Sequence, residues 1–399
     1  MKDRLVYMDY NATTPIHPEV KKAMVEALDL FGNASSMHSA GRSAHEAVEK
    51  ARLNVARLIG AAPEEIIFTG GGSESNNTVL NMIGCGSDSC SCVSADRREL
   101  ITSRIEHPSV LNAAEFLEHR GVPVRYLGVD ERGKIRLEEF KSMLSERTAL
   151  VSIMLANNEI GTIEDVAELA GLAREAGALM HTDAVQAAGK IPLDAHGLGV
   201  DFLSLSGHKL YGPKGVGVLY VRRGSPFCTF IHGGHQEAGR RAGTYNTTGI
   251  IGMGRAAELA LADLDEERGR IGRLRGRLRE GLARRISDIR VNGHEKDVLP
   301  GTLNVSFEGA EGEAILLYMD MAGIQVSTGS ACATGSLEPS HVLLATGVGA
   351  ELAHGSIRFS LGRETSEADV DYVVDVLPGI IERIRKMSTL YAGGRKKAS

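Results

Sequence analysis

The chain has 399 residues, of which 43% are hydrophobic and 24% charged, so it is long enough for two globular domains. Its net charge of -6 argues against a direct nucleic-acid binder, and no run approaches the roughly 18 apolar residues of a membrane span. Five cysteines, an odd number spread over a long chain, argue against a disulfide framework and favour working thiols. Because the first residues also lack the apolar core of a signal peptide, we predict a cytoplasmic location.

Short apolar runs alternate with amphipathic segments between residues 66 and 221. Most of the runs lack strict alternation, which is typical of strands covered on both faces. The predicted strands are 66–69, 100–103, 124–127, 149–155, 178–182, 202–205 and 216–221. This pattern predicts an α/β domain around a mostly parallel sheet.

The C-terminal part of the chain has a different pattern. A connecting helix is predicted between residues 251 and 286, with one apolar stripe formed by Ile271, Leu274, Leu278, Leu282 and Ile286. Strands at 302–307 and 356–360 then alternate with helices at 311–322 and 366–387, which predicts a smaller α+β domain. We assign residues 15–262 to the large domain, and 1–14 together with 263–399 to the small one.

The segment 204–217, SLSGHKLYGPKGVG, forms a tight glycine-rich loop between two predicted strands, with Lys209 at its centre. Partial desolvation on such a rigid loop lowers the pKa of a lysine and makes its amine nucleophilic enough to form a Schiff base. The alternative is an ordinary surface lysine.

The segment 66–77, IIFTGGGSESNN, runs from a strand through three glycines into a predicted helix. Backbone N–H groups and the helix dipole at such a junction can bind a phosphate. The segment matches neither the P-loop nor the dinucleotide fingerprint, so neither a nucleoside triphosphate nor NAD is favoured. A plain glycine turn capped by Ser73 is the alternative.

Three further strand ends carry polar side chains. His107 follows one strand, Asn158 another, and Asp183 with Gln186 a third. Open α/β sheets bind ligands at the carboxyl ends of their strands. A carboxylate there, such as Asp183, can keep a pyridinium nitrogen protonated, although a helix cap is its alternative role, as a structural histidine is for His107. Together with Lys209, these groups describe a pyridoxal phosphate pocket.

Three other segments carry candidate residues. The loop 233–246 holds Arg240, Arg241 and Thr244, which can supply a second phosphate contact, including one to a neighbouring subunit, or form an exposed basic turn. Cys332 lies among small residues in 327–336, STGSACATGS, where a thiol can swing toward a site as a nucleophile or be inert. Arg358 on a predicted strand can clamp a carboxylate or form a structural ion pair.

The assembled motifs resemble those of the cysteine desulfurases, most closely their class I branch, within the fold-type I (aminotransferase-like) pyridoxal phosphate enzymes. The resemblance covers almost the whole chain. It rests on YMDYNATTP at 7–15, EIG at 159–161, SGHKLYGPKG at 206–215, SAC at 330–332, SLEPS at 336–340 and IRFSLG at 357–362. It implies a homodimer with pyridoxal 5'-phosphate as cofactor, which converts L-cysteine into L-alanine and a persulfide on Cys332. The sulfur then passes to an acceptor such as an iron–sulfur scaffold or a tRNA-thiolating protein.

The same resemblance implies a role for each matching residue. Lys209 would carry the cofactor as a Schiff base, His107 would stack on its ring and assist proton transfer, and Asp183 would pair with the ring nitrogen. Asn158 and Gln186 would contact the O3' side. The expected phosphate ligands are Gly72, Ser73, Ser206, His208 and, across the dimer interface, Thr244. The expected substrate-carboxylate ligands are Asn33 and Arg358.

Two departures from the family pattern stand out. Ala34 in GNASS at 32–36 replaces a usual proline, which affects only loop stiffness. Residues 85–92, CGSDSCSC, fall where the family usually has no cysteine. Three thiols at C-x4-C-x-C spacing can bind metal or take up sulfur, but three ligands fall short of a closed zinc site and no fourth is evident. We therefore predict no metal site, and an exposed, variable loop is the alternative.

Two other classes of function remain as alternatives. A selenocysteine lyase or an aminotransferase has the same fold, but an aminotransferase needs a keto-acid acceptor and has no evident use for Cys332. A catalytically idle sulfur carrier or assembly partner would lack a cofactor that responds to cysteine.

Overall fold

The computed structural model describes residues 4–85, 96–329, 338–387 and 391. Its strands are β1 (Val6–Tyr7), β2 (Ile66–Thr69), β3 (Glu99–Ser103), β4 (Val124–Leu127), β5 (Thr148–Ser152), β6 (Leu179–Asp183), β7 (Phe202–Ser206), β8 (Gly217–Val221), β9 (Ile289–Asn292), β10 (Thr302–Phe307), β11 (Ile324–Gln325) and β12 (Ser356–Ser360). Its helices are α1 (Pro18–Ala27), α2 (Ser39–Leu58), α3 (Gly72–Asn81), α4 (Pro108–His119), α5 (Leu137–Met143), α6 (Val166–Glu175), α7 (Ala195–Leu198), α8 (Thr247–Ala262), α9 (Leu264–Arg285), α10 (Gly312–Met321), α11 (His341–Ala345), α12 (Ala350–His354) and α13 (Glu367–Met387). Short 3-10 turns lie at Pro63–Glu65, Gly207–Lys209 and Gln236–Gly239.

Within the described residues, the large sheet has seven strands in the order β2-β8-β7-β6-β5-β3-β4. Strands β7, β6, β5, β3 and β4 pair in parallel, whereas β8 runs antiparallel to both of its neighbours. The prediction of a mostly parallel seven-stranded sheet in an α/β fold is therefore confirmed. Its central strands are buried along their whole length, because helices cover both faces and exclude water from them.

The predicted elements differ from the structure mainly at their ends. The strand predicted at 149–155 corresponds to β5, which ends at Ser152. The three apolar residues that follow belong to the next loop. The single helix predicted for 251–286 is two helices, α8 and α9, that meet at Asp263. Acidic residues fill the first turn of α9, where they favour a new helix N-terminus. The apolar stripe from Ile271 to Leu282 is buried, as predicted.

A second core lies beside the large sheet. The antiparallel sheet β12-β10-β9 and the parallel pair β1-β11 contribute to it together with α9, α10 and α13. Its buried residues come from both ends of the described chain, for example Val6, Met8 and Ile384. A small cluster that includes Ile105 and Val342 links the two halves. The α+β character of this part is confirmed, and the boundaries 1–14, 15–262 and 263–399 stay a prediction.

The parallel strands determine where ligand-binding side chains can meet. Their carboxyl ends share one edge of the sheet, and the segments that follow β2, β3, β5, β6 and β7 all begin there. Among the described helices, none is both long enough and apolar enough to cross a bilayer.

Candidate functional site

A cavity of about 310 Å³ opens at the carboxyl edge of the sheet. Each of the five strand-end segments contributes to its wall. The candidate residues that line it are Gly72, Ser73, His107, Asn158, Asp183, Gln186, Ser206, His208, Lys209 and Arg358. Residues far apart in sequence, from Gly72 to Arg358, thus meet in one space large enough for a small cofactor or substrate.

Lys209 ends the 3-10 turn that follows β7, and its amine reaches the N-terminal segment of the chain. Its Nζ donates hydrogen bonds to the carbonyl oxygens of Asn11, at 2.6 Å, and Ala12, at 2.7 Å. Both acceptors also line the cavity. The N-terminal segment therefore fixes the direction of this amine.

A second lysine, Lys190, lies near Lys209. It binds the side chain of Asn11, whereas Lys209 binds the backbone carbonyl of the same residue. Its Nζ donates to Asn11 Oδ1, at 3.1 Å, and to Gln186 Oε1, at 2.7 Å. Burial of the amine, followed by the positive charges of Lys209 and Arg358, lowers the pKa of Lys190 to about 7. The residue as a whole is half-buried. Near neutral pH this group can gain or lose a proton.

Asp183 ends β6, and two donors hold its carboxylate. Asn76 Nδ2 on α3 donates to Asp183 Oδ2 at 2.7 Å, and the Val185 N–H donates to Oδ1 at 2.9 Å. Asn76 in turn donates to Ser109 Oγ at 2.9 Å. The carboxylate is thereby oriented by neighbouring elements, and it does not cap a following helix through its side chain.

His107 caps the N-terminus of α4. Its Nδ1 accepts a hydrogen bond from the Ser109 N–H at 3.1 Å and lies 2.8 Å from Ser109 Oγ. Burial lowers the pKa of His107, and the positive charge of Lys209 acts in the same direction while Asp183 opposes it. Because Nδ1 is an acceptor, the neutral ring carries its proton on Nε2.

The N-terminus of α3 forms the wall where an anion would bind. The buried Gly72 packs so closely that a Cβ there would lie 2.8 Å from Val185 Cγ2, and Ser73 lies exposed at the rim. Ser206 and His208 complete this wall, and His208 Nδ1 lies 3.1 Å from Thr13 Oγ1. Burial and then the charge of Lys209 lower the pKa of His208 to about 4, so this ring is neutral at pH 7. Backbone N–H groups and the helix dipole here favour a phosphate.

Arg358 on β12 reaches the cavity from the small sheet. Its Nη2 pairs with Asp9 Oδ1 at 2.7 Å, and its Nη1 donates to the carbonyl oxygen of Asn158 at 3.1 Å. The residue is 3% exposed. It therefore makes the structural ion pair considered from sequence, and it also lines the cavity, while its role as a carboxylate clamp stays a prediction.

The structure does not bring every predicted residue to the cavity. Asn33 is exposed and uses its Oδ1 to accept from the Ser35 N–H at 2.9 Å. Thr244 is also exposed and does not line the cavity of its own chain. Cys332 lies outside the described residues, whereas Gly329, three positions before it in sequence, borders the cavity.

Three residues in or beside this site were not predicted from the sequence. Asn11 contacts both lysines, and its Nδ2 also donates to Thr302 Oγ1 at 2.9 Å. Asn76 orients Asp183, and its helical position three residues after Ser73 was a usable signal. No periodicity marked Asn11 or Lys190, because their importance arises from contacts between distant segments.

Comparison with known proteins identifies the class that this fold and site define. The profile of the family described as "Aminotransferase class-V" matches residues 6–373. The chain belongs to the aminotransferase class-V family. Relatives that are 52% and 50% identical over nearly their whole length place it, within that family, among the cysteine desulfurases.

Individual relatives are similar in sequence to this chain over nearly its full length. A cysteine desulfurase of Gluconacetobacter diazotrophicus is 52% identical over 391 residues, with 97% of this chain and 96% of the relative covered. The cysteine desulfurase IscS of Dictyoglomus turgidum is 50% identical over 386 residues, with 96% of each chain covered. Among solved structures, a NifS-like protein superposes with a TM-score of 0.88 at 38% identity, covering 95% of this chain and all of that one. A second, titled "SspA in complex with cysteine", has a TM-score of 0.77 at 35% identity, with 90% and 99% covered.

Proposed function

We propose that this chain removes sulfur from L-cysteine with pyridoxal 5'-phosphate as cofactor, giving L-alanine and a persulfide on Cys332. The observation that carries the proposal is the meeting of Lys209, Asp183 and His107 in one cavity that Gly329 borders. The cysteine bound in the neighbouring SspA structure supports the substrate. The sulfur transfer itself rests on the sequence match of Cys332.

The residues of the cavity fit this cofactor. The N-terminus of α3, where Gly72 and Ser73 line the cavity, would offer backbone N–H groups to a phosphate, and Asp183 would offer an anchored carboxylate to a pyridinium nitrogen. Lys209 supplies the amine, and Ser73, Ser206 and His208 supply further donors at the phosphate end. Asn158 and Gln186, which also line the cavity, would contact the ring's O3' side. When bound, the cofactor withdraws electrons from the substrate's Cα.

The two candidate bases for the Cα proton differ in protonation. His107 Nδ1 already accepts from the Ser109 backbone, so its Nε2 bears the proton and acts as a donor. Lys209 lines the cavity, and its amine, once free and neutral, would be able to accept a proton there. We therefore propose Lys209 as the base and His107 as the group that orients and returns a proton.

The sulfur-transfer step balances without an external oxidant. The thiolate of Cys332 attacks the substrate sulfur, so an S–S bond forms and the substrate's Cβ–S bond breaks. The electron pair of that bond stays with Cβ, which takes a proton and becomes the methyl group of alanine. The sulfur is oxidised to the persulfide level as the carbon is reduced. Arg358 would hold the substrate carboxylate, and Asn33 is the second candidate for this contact.

The partners follow from the same proposal. In a homodimer, the exposed Thr244 of one chain would contact the cofactor phosphate of the other, because it does not reach the cavity of its own chain. The names IscS and NifS-like among the relatives favour an iron–sulfur scaffold as sulfur acceptor, with a tRNA-thiolating protein as the alternative. We propose the cytoplasm as the location, since thiols stay reduced there.

The test compares wild type with Cys332→Ser. Both are incubated with L-cysteine and a thiol reductant while cofactor absorbance, alanine and sulfide are followed together. Wild type is expected to give equimolar alanine and sulfide. The variant should still show a cofactor response to cysteine, but its sulfide release should fall by about a hundredfold or more, since the nucleophile is lost.

Three results would contradict the proposal. Undiminished sulfide release by Cys332→Ser would show that Cys332 is not the nucleophile. Conversion of the cofactor to its amine form with dependence on a keto acid would indicate an aminotransferase. A colourless protein that does not respond to cysteine would indicate an idle carrier.

A further inference from the structure

Lys190 carries a buried amine that the proposed reaction does not use. The residue lies in the turns after β6, four positions beyond Gln186, and its Nζ donates to Gln186 Oε1 at 2.7 Å and to Asn11 Oδ1 at 3.1 Å. Among the described residues, Lys190 lines a second cavity of about 60 Å³ that shares Asn11 and Lys209 with the main cavity, but it is not part of the main cavity's wall. Its effect on the main cavity must therefore pass through other residues.

Asn11 connects Lys190 to Lys209 through a closed set of hydrogen bonds. The carbonyl oxygen of Asn11 accepts from Lys209 Nζ at 2.6 Å and from Gln186 Nε2 at 2.9 Å. Lys190 binds the opposite group of each of these two partners, the side-chain oxygen of Asn11 and the side-chain oxygen of Gln186. Removal of the Lys190 amine would therefore release Gln186 and the Asn11 side chain together. The carbonyl that sets the direction of the Lys209 amine would lose that support.

The Lys190 amine also determines which way both amide groups face. A lysine amine donates hydrogen bonds, so Asn11 and Gln186 present their oxygens to it. Gln186 thereby keeps its NH2 group for the Asn11 carbonyl and, with the second hydrogen, for the cavity that it lines. A neutral amine has two hydrogens and an ammonium group three, so either form of Lys190 can make both bonds.

The surroundings of this amine are unfavourable for a lysine. Burial and the positive charges of Lys209 and Arg358 all oppose a proton on Lys190, and its two hydrogen-bond acceptors are neutral amides. Placing an ionisable group in such surroundings costs free energy. Groups of this kind cluster at functional sites, where their cost is offset by a role in the site.

We propose that Lys190 is a positioning residue, which holds Asn11 and Gln186 so that the Lys209 amine and the Gln186 amide face the main cavity. This inference rests on the proposed function, because it concerns the attachment of pyridoxal 5'-phosphate to Lys209. Loss of Lys190 should slow the steps that need a correctly directed Lys209 amine. Binding of L-cysteine should change less, because Arg358 is held by other groups.

The first experiment compares wild type with Lys190→Met, which keeps a side chain of similar length but removes the donors. The full-length chain, freed of cofactor, is mixed with pyridoxal 5'-phosphate, and attachment to Lys209 is trapped by borohydride and followed by peptide mass spectrometry. Lys190→Met should slow attachment by about tenfold or more, because a misdirected group loses the advantage of pre-organisation. Lys141→Met is the matched control, since it removes an exposed lysine paired with Glu138 and should leave the rate unchanged.

The second experiment measures steady-state alanine formation from L-cysteine by the holoenzymes. Lys190→Met should lower kcat by about tenfold or more while KM changes by less than about threefold. A general loss of folded protein would lower kcat without slowing attachment in the folded fraction, so the two measurements together separate positioning from a merely structural role.

A second variant, Asn11→Ala, removes one acceptor of Lys190 and keeps the backbone carbonyl that Lys209 binds. It should slow attachment by itself, and the double variant should be less impaired than the product of the two single effects, because both changes act on the same hydrogen bonds. The inference is overturned if wild type attaches the cofactor and Lys190→Met does so equally fast, or if the loss lies in KM. Unchanged attachment in Asn11→Ala overturns it even where Lys190→Met does not fold. A wild type that does not attach the cofactor would overturn the proposed function and this inference with it.

Discussion

Arg358 is almost fully buried and still forms part of the cavity wall. Two of its donor groups are held by Asp9 and by the carbonyl of Asn158, and its Nε has no hydrogen-bond partner among the described residues. A guanidinium held this way is fixed in orientation before a substrate arrives. The planar guanidinium group can donate two parallel hydrogen bonds to a carboxylate, whereas the ammonium group of a lysine acts as a point charge.

We expect Arg358→Lys to raise KM for L-cysteine by about ten- to a hundredfold, because one or two charge-assisted hydrogen bonds are lost at about 1.5–3 kcal/mol. The kcat value should change less. Steady-state alanine formation measures both constants. The control is Arg277→Lys, which replaces an exposed arginine paired with Asp371 and should leave KM unchanged. An unchanged KM in Arg358→Lys would exclude it as the carboxylate ligand.

Among the elements, α3 begins at Gly72, only three residues after β2 ends at Thr69. Thr69 Oγ1 and Ser75 Oγ lie 2.8 Å apart, which ties the end of β2 to the first turn of the helix. Gly72 then allows the helix to approach Val185 closely. The anion-binding capacity depends on this packing, since a shifted helix would turn its N–H groups away from the cavity.

Gly72→Ala is expected to weaken binding of pyridoxal 5'-phosphate to the apoprotein by about tenfold or more, since overpacking of this kind costs about 1–3 kcal/mol. Absorbance titration of the apoprotein measures the affinity. Gly171→Ala on α6 is the matched control, because its Cβ would meet no atom within 4 Å and it should leave the affinity unchanged. Equal affinities for wild type and Gly72→Ala would contradict the assignment of this helix terminus as the phosphate site.

Across the whole molecule, buried carboxyl groups link stability to pH. Glu106 is fully buried, and its Oε1 accepts from Ser103 Oγ at 2.6 Å and from the Met154 N–H at 2.9 Å. Its Oε2 has no hydrogen-bond partner among the described residues. Burial raises the pKa of Glu106 to about 8. Burial likewise raises the pKa of Glu164 to about 8.

The direction in which stability changes with pH follows from which state, native or unfolded, binds the proton. Between pH 4.5 and 8 the native state holds a proton on Glu106 that the unfolded state releases, so stability falls as pH rises across this window. Glu106→Gln should make the slope of unfolding free energy against pH less negative by up to about 1.4 kcal/mol per pH unit. Glu164 would maintain part of the slope in the variant.

Urea unfolding at several pH values between 5 and 8 measures this slope. Glu138→Gln, which changes a carboxylate that is 87% exposed, serves as the control and should leave the slope unchanged. Identical slopes for wild type and Glu106→Gln would show that Glu106 is ionised throughout this range in the native protein.

The sequence by itself determined the type of fold and most of the cavity wall. Strands that are buried on both faces need continuous apolar runs, and ligand sites in such sheets form at strand ends, so Gly72, Asp183 and Lys209 stood out locally. Segment ends were less certain, because the break between α8 and α9 at Asp263 is marked by no glycine or proline and only by the acidic first turn of α9.

Only the tertiary structure decided which distant residues meet. Asn11 joins Lys209 and Lys190 across about 180–200 positions, and Cys228 meets Cys85 across 143. It also showed that Arg358 pairs with Asp9 and that Thr244 does not reach the cavity of its own chain. Such contacts leave no periodic trace, because they arise when separate elements pack and not from the conformational preference of either segment.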